Sequence, residues 1–304
     1  MRYRSVSYRV LFAVLLLALL AAAAPVGSAA EDTGLEELVS LGDGRFSCAF
    51  DGVRHKFIVD LPEDPEGSPL ILMLHGYGHT AESFRLETGL ERDANPRGYT
   101  VVYVTGAPNP ADRTSACGWN YGIGNSPNRD TVFLTALADY VRRSFRTDES
   151  RCFAVGFSNG AFMAHRLALE AGDTFAAVVS VAGTVSETAW AARPETCAVG
   201  LLQITGEKDA VIPKHSDGSA RFAKAPAIED VVAYYVQANG LSLSETQEIG
   251  RASVLEKYTG EPAGPQVWHL LVRGGRHSWS AEPITGIDTN RLILDFLDTY
   301  TDTQ

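Results

Sequence analysis

The sequence predicts an α/β fold in which a mostly parallel central sheet carries helices on both faces. Short apolar, β-branched runs alternate with helical patterns from Leu70 to the C-terminus, which is typical of parallel βαβ units. One of these runs continues through Gly156-Phe-Ser-Asn-Gly160 directly into a helical pattern. The 304 residues are 45% hydrophobic and 21% charged, an ordinary globular composition that allows one large core.

The first 30 residues have the composition of a secretory signal peptide. Three arginines precede an apolar, acid-free run over residues 10–24, and small residues follow at 27–30. We therefore expect residues 1–30 to be cleaved and residues 31–304 to form a single catalytic domain. An uncleaved membrane anchor is the less favoured alternative, because the apolar run is short for a bilayer span.

The chain is acidic, and this limits the partners that it can bind. Its formal net charge at pH 7 is −11, and loss of the three arginines in the first 30 residues makes it −14. A protein this acidic repels nucleic acid and anionic membrane surfaces. We expect an exported protein, extracellular or periplasmic, with no nucleic-acid or membrane partner, whose oligomeric state the sequence leaves open.

The four cysteines all follow the predicted cleavage site: Cys48, Cys117, Cys152 and Cys197. An even number of cysteines in an exported chain predicts two disulfides. A bond between Cys152 and Cys197 is weakly favoured, because each residue stands at the start of a predicted strand. Free buried thiols are the alternative, and the spacing of the cysteines does not favour a metal site.

The segment before Leu70 predicts a short helix and a hairpin. A polar lead-in has a helical pattern over residues 35–41. Residues 44–50 and 53–61 then alternate apolar and polar side chains around Asp51-Gly52, a dipeptide that favours a tight hairpin turn.

The next segment predicts a parallel βαβ unit. Leu70–Leu74 is a continuous apolar run of the kind that a strand buried on both faces requires. His75-Gly-Tyr-Gly78 ends this strand, a helix is predicted over residues 81–93, and Thr100–Val104 is the second buried strand. Two such strands joined by a helix indicate a parallel pair.

A long loop over residues 106–127 follows, rich in glycine, asparagine and proline, and a loop of this length is more often functional than not. Beyond it, strands and helices alternate to the C-terminus, with a possible small insertion between Pro213 and Pro265. The predicted helices cover residues 130–145, 159–170, 228–238 and 290–300, and the predicted strands cover residues 151–155, 175–181, 199–205 and 267–272.

Ser158 stands at the centre of Gly156-Phe-Ser-Asn-Gly160, the pattern of a nucleophile elbow, in which a strained strand-to-helix turn presents the serine. Its hydroxyl needs a general base to become a nucleophile. His277 is the best candidate, because it follows the strand predicted over residues 267–272 and a flexible Gly-Gly pair. His215 is the runner-up. The histidines inside predicted strands or helices are excluded: His55, His165 and His269.

The acid that orients the base is expected between the serine and the histidine in the chain, just past a strand. Asp209 fits, because it lies four residues after the strand predicted over residues 199–205. Glu207 is the closest competitor, and Asp217 is the next.

Two backbone amides are expected to bind the oxyanion of a tetrahedral intermediate. The amide of Asn159 directly follows Ser158 at a helix N-terminus, where the helix dipole favours an anion. The amide of Tyr77 lies between two glycines at the end of the strand Leu70–Leu74, and these glycines allow the backbone to approach closely.

Five blocks of the chain carry a family pattern: Leu74-His-Gly-Tyr-Gly78, Gly156-Phe-Ser-Asn-Gly-Ala-Phe-Met163, Phe175-Ala-Ala-Val-Val-Ser-Val-Ala-Gly183, Gly206-Glu-Lys-Asp-Ala-Val-Ile-Pro213 and Gly274-Gly-Arg-His-Ser-Trp279. They resemble those of the secreted feruloyl esterase / polyhydroxybutyrate depolymerase group. The resemblance covers most of residues 31–304 and implies the α/β-hydrolase fold. It also implies a triad of Ser158, Asp209 and His277, and an oxyanion amide from Tyr77.

These observations predict a secreted serine esterase that hydrolyses feruloyl or acetyl esters of plant polysaccharides, or short hydroxyalkanoate esters. The expected partner is thus a small-molecule or polysaccharide-linked ester, and neither a cofactor nor a metal is implied. Trp119, Tyr121 and Trp279 are candidates to line an aromatic or sugar-stacking cleft. The alternatives are a serine peptidase or thioesterase with the same triad, and a non-catalytic hydrolase-like binding domain.

Overall fold

The computed structural model describes residues 33–109, 112–122, 129–212, 214, 225–261, 264–279 and 282–301. The predicted signal peptide over residues 1–30 lies outside the described residues, as do His215 and Asp217. Within the described ranges, no helix combines the length and the apolar character needed to cross a membrane.

The strands of the described residues are β1 (Glu36–Gly42), β2 (Arg45–Phe50), β3 (Val53–Asp60), β4 (Leu70–Leu74), β5 (Thr100–Val104), β6 (Ala107–Pro108), β7 (Cys117–Gly118), β8 (Cys152–Phe157), β9 (Ala177–Val181), β10 (Gly200–Gly206), β11 (Ser242–Ile249), β12 (Ser253–Thr259) and β13 (Val267–Val272). One eleven-stranded sheet has the order β1-β2-β3-β5-β4-β8-β9-β10-β13-β12-β11, and β6 pairs with β7 separately. The central strands from β5 to β13 in this order are parallel. The strands outside them are antiparallel. The predicted parallel centre of the sheet is confirmed.

The helices of the described residues are α1 (Ala81–Thr88), α2 (Leu90–Ala94), α3 (Asp130–Phe145), α4 (Asn159–Glu170), α5 (Glu187–Ala191), α6 (Ile228–Ala238), α7 (Glu282–Thr285) and α8 (Thr289–Asp298), with a 3₁₀ turn at Asn95–Arg97. Helices α3, α4 and α6 share one core cluster with Leu70 and Leu72 of β4. Helices α1, α2 and α8 share the opposite cluster with Ile71 and Met73. Because successive strand side chains point to opposite faces, helices cover both faces of the sheet, as predicted.

Six elements begin and end where the sequence predicts, whereas β8, β9, β10 and α8 differ from their predicted bounds by one or two residues. Strands β4, β5 and β13 and helices α3, α4 and α6 have the predicted bounds. The predicted hairpin is confirmed as well, since β2 pairs with β3 around Asp51 and Gly52, which both have positive φ. The helix predicted over residues 81–93 is divided at Gly89, whose left-handed backbone (φ 57°) ends α1 and precedes α2.

Two predictions for the edges of the sheet are wrong. Residues 35–41 do not form a helix, because residues 36–42 form β1 and pair with β2. The hydrogen bonds of this pairing override the local helical pattern. The region between Pro213 and Pro265 is not a separate insertion, because β11 and β12 extend the central sheet beyond β13.

The predicted disulfides are also corrected, because all four cysteines have free thiols. The favoured partners, Cys152 and Cys197, precede or begin strands β8 and β10, and β9 lies between these strands. Two interstrand spacings separate such positions by about 10 Å. A disulfide requires Cα atoms within about 7 Å of each other. Cys197 is buried instead, and burial raises the pKa of its thiol.

Candidate active site

The candidate nucleophile, Ser158, stands in a strained turn between β8 and α4. Its φ of 51° and ψ of −114° are unusual for a residue with a side chain. A Cβ on Gly156 would collide with the carbonyl oxygen of Gly160, and a Cβ on Gly160 would collide with that of Leu74. The two glycines therefore allow the backbone crossing that lets the turn form, as the elbow pattern predicts.

His277 joins Ser158 to Asp209 through its two ring nitrogens. Nε2 lies 2.9 Å from Ser158 Oγ, and Nδ1 lies 2.8 Å from Asp209 Oδ2. An ionised carboxylate only accepts hydrogen bonds, so Nδ1–H donates to Asp209 and Nε2 accepts from the serine hydroxyl. This is the arrangement in which an imidazole can remove the serine proton.

Asp209 is fixed by its own turn. The residue is only 8% exposed, and its Oδ1 accepts hydrogen bonds from the backbone N–H groups of Val211 and Ile212, each at 2.8 Å. Its second oxygen is thereby directed at His277. The carboxylate thus presents a fixed acceptor to Nδ1–H and can orient the imidazole.

The loops that carry the acid and the base are tied together. The N–H of Lys208 donates to the carbonyl of Gly275 at 2.7 Å, and Glu207 Oε2 accepts from the N–H of Gly274 at 2.7 Å. Glu207, the predicted competitor of Asp209, therefore contacts the glycine pair before His277. Its carboxylate supports the loop, whereas the carboxylate of Asp209 contacts the imidazole.

The two predicted oxyanion residues lie beside the elbow. A Cβ on Gly76 would stand 3.6 Å from Ser158 Cβ, so the loop of Tyr77 runs directly against the serine. Asn159 is the first residue of α4, where a backbone N–H has no acceptor within its own helix. Two backbone segments next to the Ser158 hydroxyl can thus present N–H groups to an anion.

The three aromatic residues predicted to line the cleft differ in exposure. The prediction that Trp119 lines the cleft is corrected, because the residue is 4% exposed and packs in the core. Its indole N–H donates to the carbonyl of His75 at 3.0 Å. Tyr121 and Trp279 are partly exposed, so each can still contact a ligand. The ring of Tyr121 lies 4.7 Å from that of Phe162, and Trp279 packs edge-on against Phe84.

His75 is a structural part of the site that the sequence reasoning passed over. It is fully buried, and its Nε2 accepts from the N–H of Gly106 at 2.9 Å. Its Nδ1–H therefore donates to the carbonyl of Gly76 at 2.7 Å. Burial lowers the pKa of His75 to about 4, which keeps the ring neutral. The sequence feature that could have identified His75 is its position between a buried strand and a glycine.

The side chain of Asn159 was also missed, because only its amide was considered. Its Oδ1 accepts from the backbone N–H of Trp119 at 2.7 Å, and its Nδ2 lies 3.5 Å from the Trp119 carbonyl oxygen. This pairing ties the described part of the long loop to the start of α4. No local pattern predicts it, since the partners are forty residues apart in the chain.

The chain has recognisable relatives among known proteins. The sequence pattern of the family described as putative esterase matches residues 50–239. The putative esterase NocK of Nocardia uniformis subsp. tsuyamanensis is 32% identical over 237 residues, which cover 72% of this chain and 67% of that protein. The chain belongs to this esterase family. It is a carboxylic ester hydrolase.

Other relatives of this esterase carry more specific names. Feruloyl esterase B of Neurospora crassa is 29% identical over 143 residues, which cover 43% of this chain and 47% of that protein. Probable feruloyl esterase C of Aspergillus clavatus is 30% identical over 199 residues, which cover 61% of this chain and 67% of that protein. The esterase thus spans about half the length of the former and two thirds of the latter.

Solved structures of similar fold identify the fold class. An acetyl xylan esterase from Aspergillus awamori superposes with a TM-score of 0.60 at 12% identity, covering 86% of this chain and 98% of its own. A Bacillus cereus carboxylesterase superposes with a TM-score of 0.50 at 14% identity, covering 81% and 94%. At such identities the likeness concerns the fold alone, and this esterase has the α/β-hydrolase fold, as predicted.

Proposed function

We propose that this esterase is an exported serine esterase that works through an acyl-enzyme on Ser158. The observation that carries the proposal is the pair of hydrogen bonds from His277, at 2.9 Å to Ser158 Oγ and at 2.8 Å to Asp209 Oδ2. An unassisted serine hydroxyl is a poor nucleophile, and this chain of contacts supplies both the base and the acid that orients it.

In the proposed reaction, Ser158 Oγ attacks the carbonyl carbon of the ester while His277 Nε2 takes its proton. Asp209 stabilises the imidazolium, and the amides of Tyr77 and Asn159 donate to the oxyanion. The C–O bond to the alcohol then breaks, and His277 returns the proton to the leaving oxygen. A water molecule repeats both steps on the acyl-enzyme to release the acid and restore Ser158.

The proposed substrates are feruloyl or acetyl esters of plant polysaccharides, or short hydroxyalkanoate esters. Relatives named feruloyl esterase support the first of these. A panel of methyl ferulate, acetylated xylan, 3-hydroxybutyrate esters, thioesters and peptide amides tests the class. Turnover of the amides alone would contradict the proposal.

Replacing Ser158 tests the mechanism. We expect Ser158→Ala to lower kcat on 4-nitrophenyl acetate by about 10³-fold or more, with little change in the folding transition. Phenylmethylsulfonyl fluoride should label the parent protein at Ser158 and leave the variant unlabelled. Ser150→Ala is the matched control, because Ser150 is exposed just before β8, at the opposite end of the strand that leads to Ser158. A label on another serine would contradict the assignment.

Export belongs to the same proposal. The apolar run over residues 10–24 and the small residues at 27–30 support cleavage near residue 30. N-terminal sequencing of the protein recovered from a secreting host tests it. Recovery of an intact N-terminus in the membrane fraction would contradict it.

A further inference from the structure

We propose that the ring of Tyr77 is a fixed platform on which a flat ring of the substrate stacks beside the scissile carbonyl. The proposal rests on the proposed function, because it places an ester in front of Ser158. It assigns to the Tyr77 side chain a role in specificity, in addition to the role of its backbone amide. The ligand chemistry that it implies is a planar aromatic group, in the acyl or the alcohol part of the ester.

The first observation is that Tyr77 is exposed although it lies in the centre of the site. It is 44% exposed, whereas Trp119 in the long loop is buried. Its neighbour Gly76 runs against Ser158, with a Cβ position 3.6 Å from Ser158 Cβ. An exposed aromatic residue therefore directly follows the glycine that runs against the candidate nucleophile. Apolar surface left accessible at such a place is typical of a ligand-binding contact.

The second observation is that both ends of the Tyr77 side chain are held. The backbone of the next residue is fixed, since the N–H of Gly78 donates to the carbonyl of Cys117 at 2.8 Å. At the far end, the phenol donates to Asp112 Oδ2 and lies 3.3 Å from Asn109 Nδ2. The ring thus bridges the oxyanion loop and the long loop while it remains exposed.

The third observation is that one edge of the ring rests on a glycine. A Cβ on Gly118 would lie 2.9 Å from Tyr77 Cδ2 and 3.2 Å from Asn159 Oδ1, so a side chain at this position would push against both. Gly118 thereby allows the ring to lie next to the residue that follows Ser158.

A ring held in this way suits the stacking of a flat partner. Aromatic pairs gain energy beyond their buried area when they stack with an offset, and a side chain that is already ordered loses little entropy on binding. A saturated ring of the same size lacks the flat π-face. The platform therefore predicts a preference for planar over saturated rings among esters of equal bulk.

The test uses matched esters and two variants of the full chain. Methyl 3-phenylpropanoate and methyl 3-cyclohexylpropanoate compare planar with saturated rings in the acyl group, and benzyl acetate and cyclohexylmethyl acetate compare the alcohols. We expect Tyr77→Ala, which keeps the amide, to reduce the planar-to-saturated ratio of kcat/KM by about 5–10-fold in one pair. Tyr77→Phe keeps the π-face and the contact with Gly118 but loses the hydrogen bond to Asp112, so it should reduce that ratio clearly less than Tyr77→Ala does. The pair that responds identifies the acyl or the alcohol part.

Other outcomes overturn the platform. Three results would assign Tyr77 a structural role only. The first is an equal loss of kcat/KM on all four esters in Tyr77→Ala, and the second is an equal fall of the planar-to-saturated ratio in Tyr77→Phe and Tyr77→Ala. The third is a planar-to-saturated ratio near one in both ester pairs for the parent protein. Leu243→Ala is the control, because it removes an exposed apolar side chain from β11 at the sheet edge. Full activity in Ser158→Ala would instead contradict the proposed function, so the two failures are separable.

Discussion

Asp209 shows how one side chain is shared between structure and proposed chemistry. Its Oδ1 closes the turn by accepting from Val211 and Ile212, and its Oδ2 faces His277. The same carboxylate thus shapes the loop and sets the tautomer of the imidazole. A neutral amide of the same size can close the turn but cannot accept from Nδ1–H with its amino group.

We therefore predict that Asp209→Asn lowers kcat by about 10³–10⁴-fold while leaving KM and the folding transition nearly unchanged. The amide nitrogen would face Nδ1 and favour the tautomer that carries its proton on Nε2, which cannot accept from Ser158. Steady-state kinetics on 4-nitrophenyl acetate measure the effect. Glu207→Gln is the control, because the amide oxygen can still accept from Gly274. An equal loss in both variants would count against Asp209 as the acid.

The long loop is hydrogen-bonded to α4 through Asn159 and Arg166, and to His75, the residue that follows β4. Asn159 holds the backbone of Trp119, and His75 accepts from Gly106 while its carbonyl accepts the Trp119 indole N–H. These three contacts are no longer than 3.0 Å, and they involve Asn159 itself and His75, which lies two residues before Tyr77. The position of the loop thus helps to define the position of the amides.

This coupling predicts the effect of Trp119→Phe. The variant keeps an aromatic ring in the core but loses the hydrogen bond to the His75 carbonyl, which contributes about 1 kcal/mol to the free energy of unfolding. We expect kcat to fall about 10-fold with little change in KM, because small displacements of oxyanion donors reduce transition-state binding more than substrate binding. Kinetics on a short acetate ester and urea unfolding measure the two quantities.

The matched control for that variant is Trp190→Phe. Trp190 packs against Tyr234 and Arg193 at a partly buried position in α5. The Trp190→Phe variant should lose a comparable free energy of unfolding without a loss of kcat. If both variants lowered kcat equally, the contact of Trp119 with His75 would have no specific role.

For the whole molecule, the buried histidines predict sensitivity to acid. Burial lowers the pKa values of His55, His75 and His165 to about 4, so the folded protein keeps all three neutral. His165 is wholly enclosed, with its ring nitrogens against Tyr235 and Gln203. The unfolded chain protonates these histidines near pH 6.5. The unfolded state therefore binds more protons between about pH 6.5 and 4, and stability falls as the pH is lowered through this window.

We expect the free energy of unfolding to fall by about 2 kcal/mol per buried histidine between pH 7 and pH 5. Asp130 opposes this in part, because burial raises its pKa to about 6 and its protonated form stabilises the fold as the pH falls below that value. Urea unfolding at pH 7, 6 and 5 measures the slope. His55→Gln should make the slope shallower, because it removes one of the buried rings whose pKa is lowered. A stability that does not change over this range would contradict the prediction.

The candidate site was predictable where its signals are local. Ser158, Asp209 and His277 each stand a few residues beyond a buried strand, and each strand has an apolar run that is readable by itself. In a parallel sheet the carboxyl ends of such strands share one edge, so local patterns are sufficient to bring these residues together. The same reasoning identified the central strands and the helices beside them.

The sequence by itself thus determined the parallel centre of the sheet, the elbow and the residues that converge on it. Only the tertiary structure decided that Trp119 is buried, that the four cysteines have free thiols, and that β11 and β12 join the main sheet. It also revealed the exposed ring of Tyr77. The physical reason is that burial, pairing at a sheet edge and thiol separation depend on which distant segments become neighbours, whereas strand periodicity and turn residues act over a few positions.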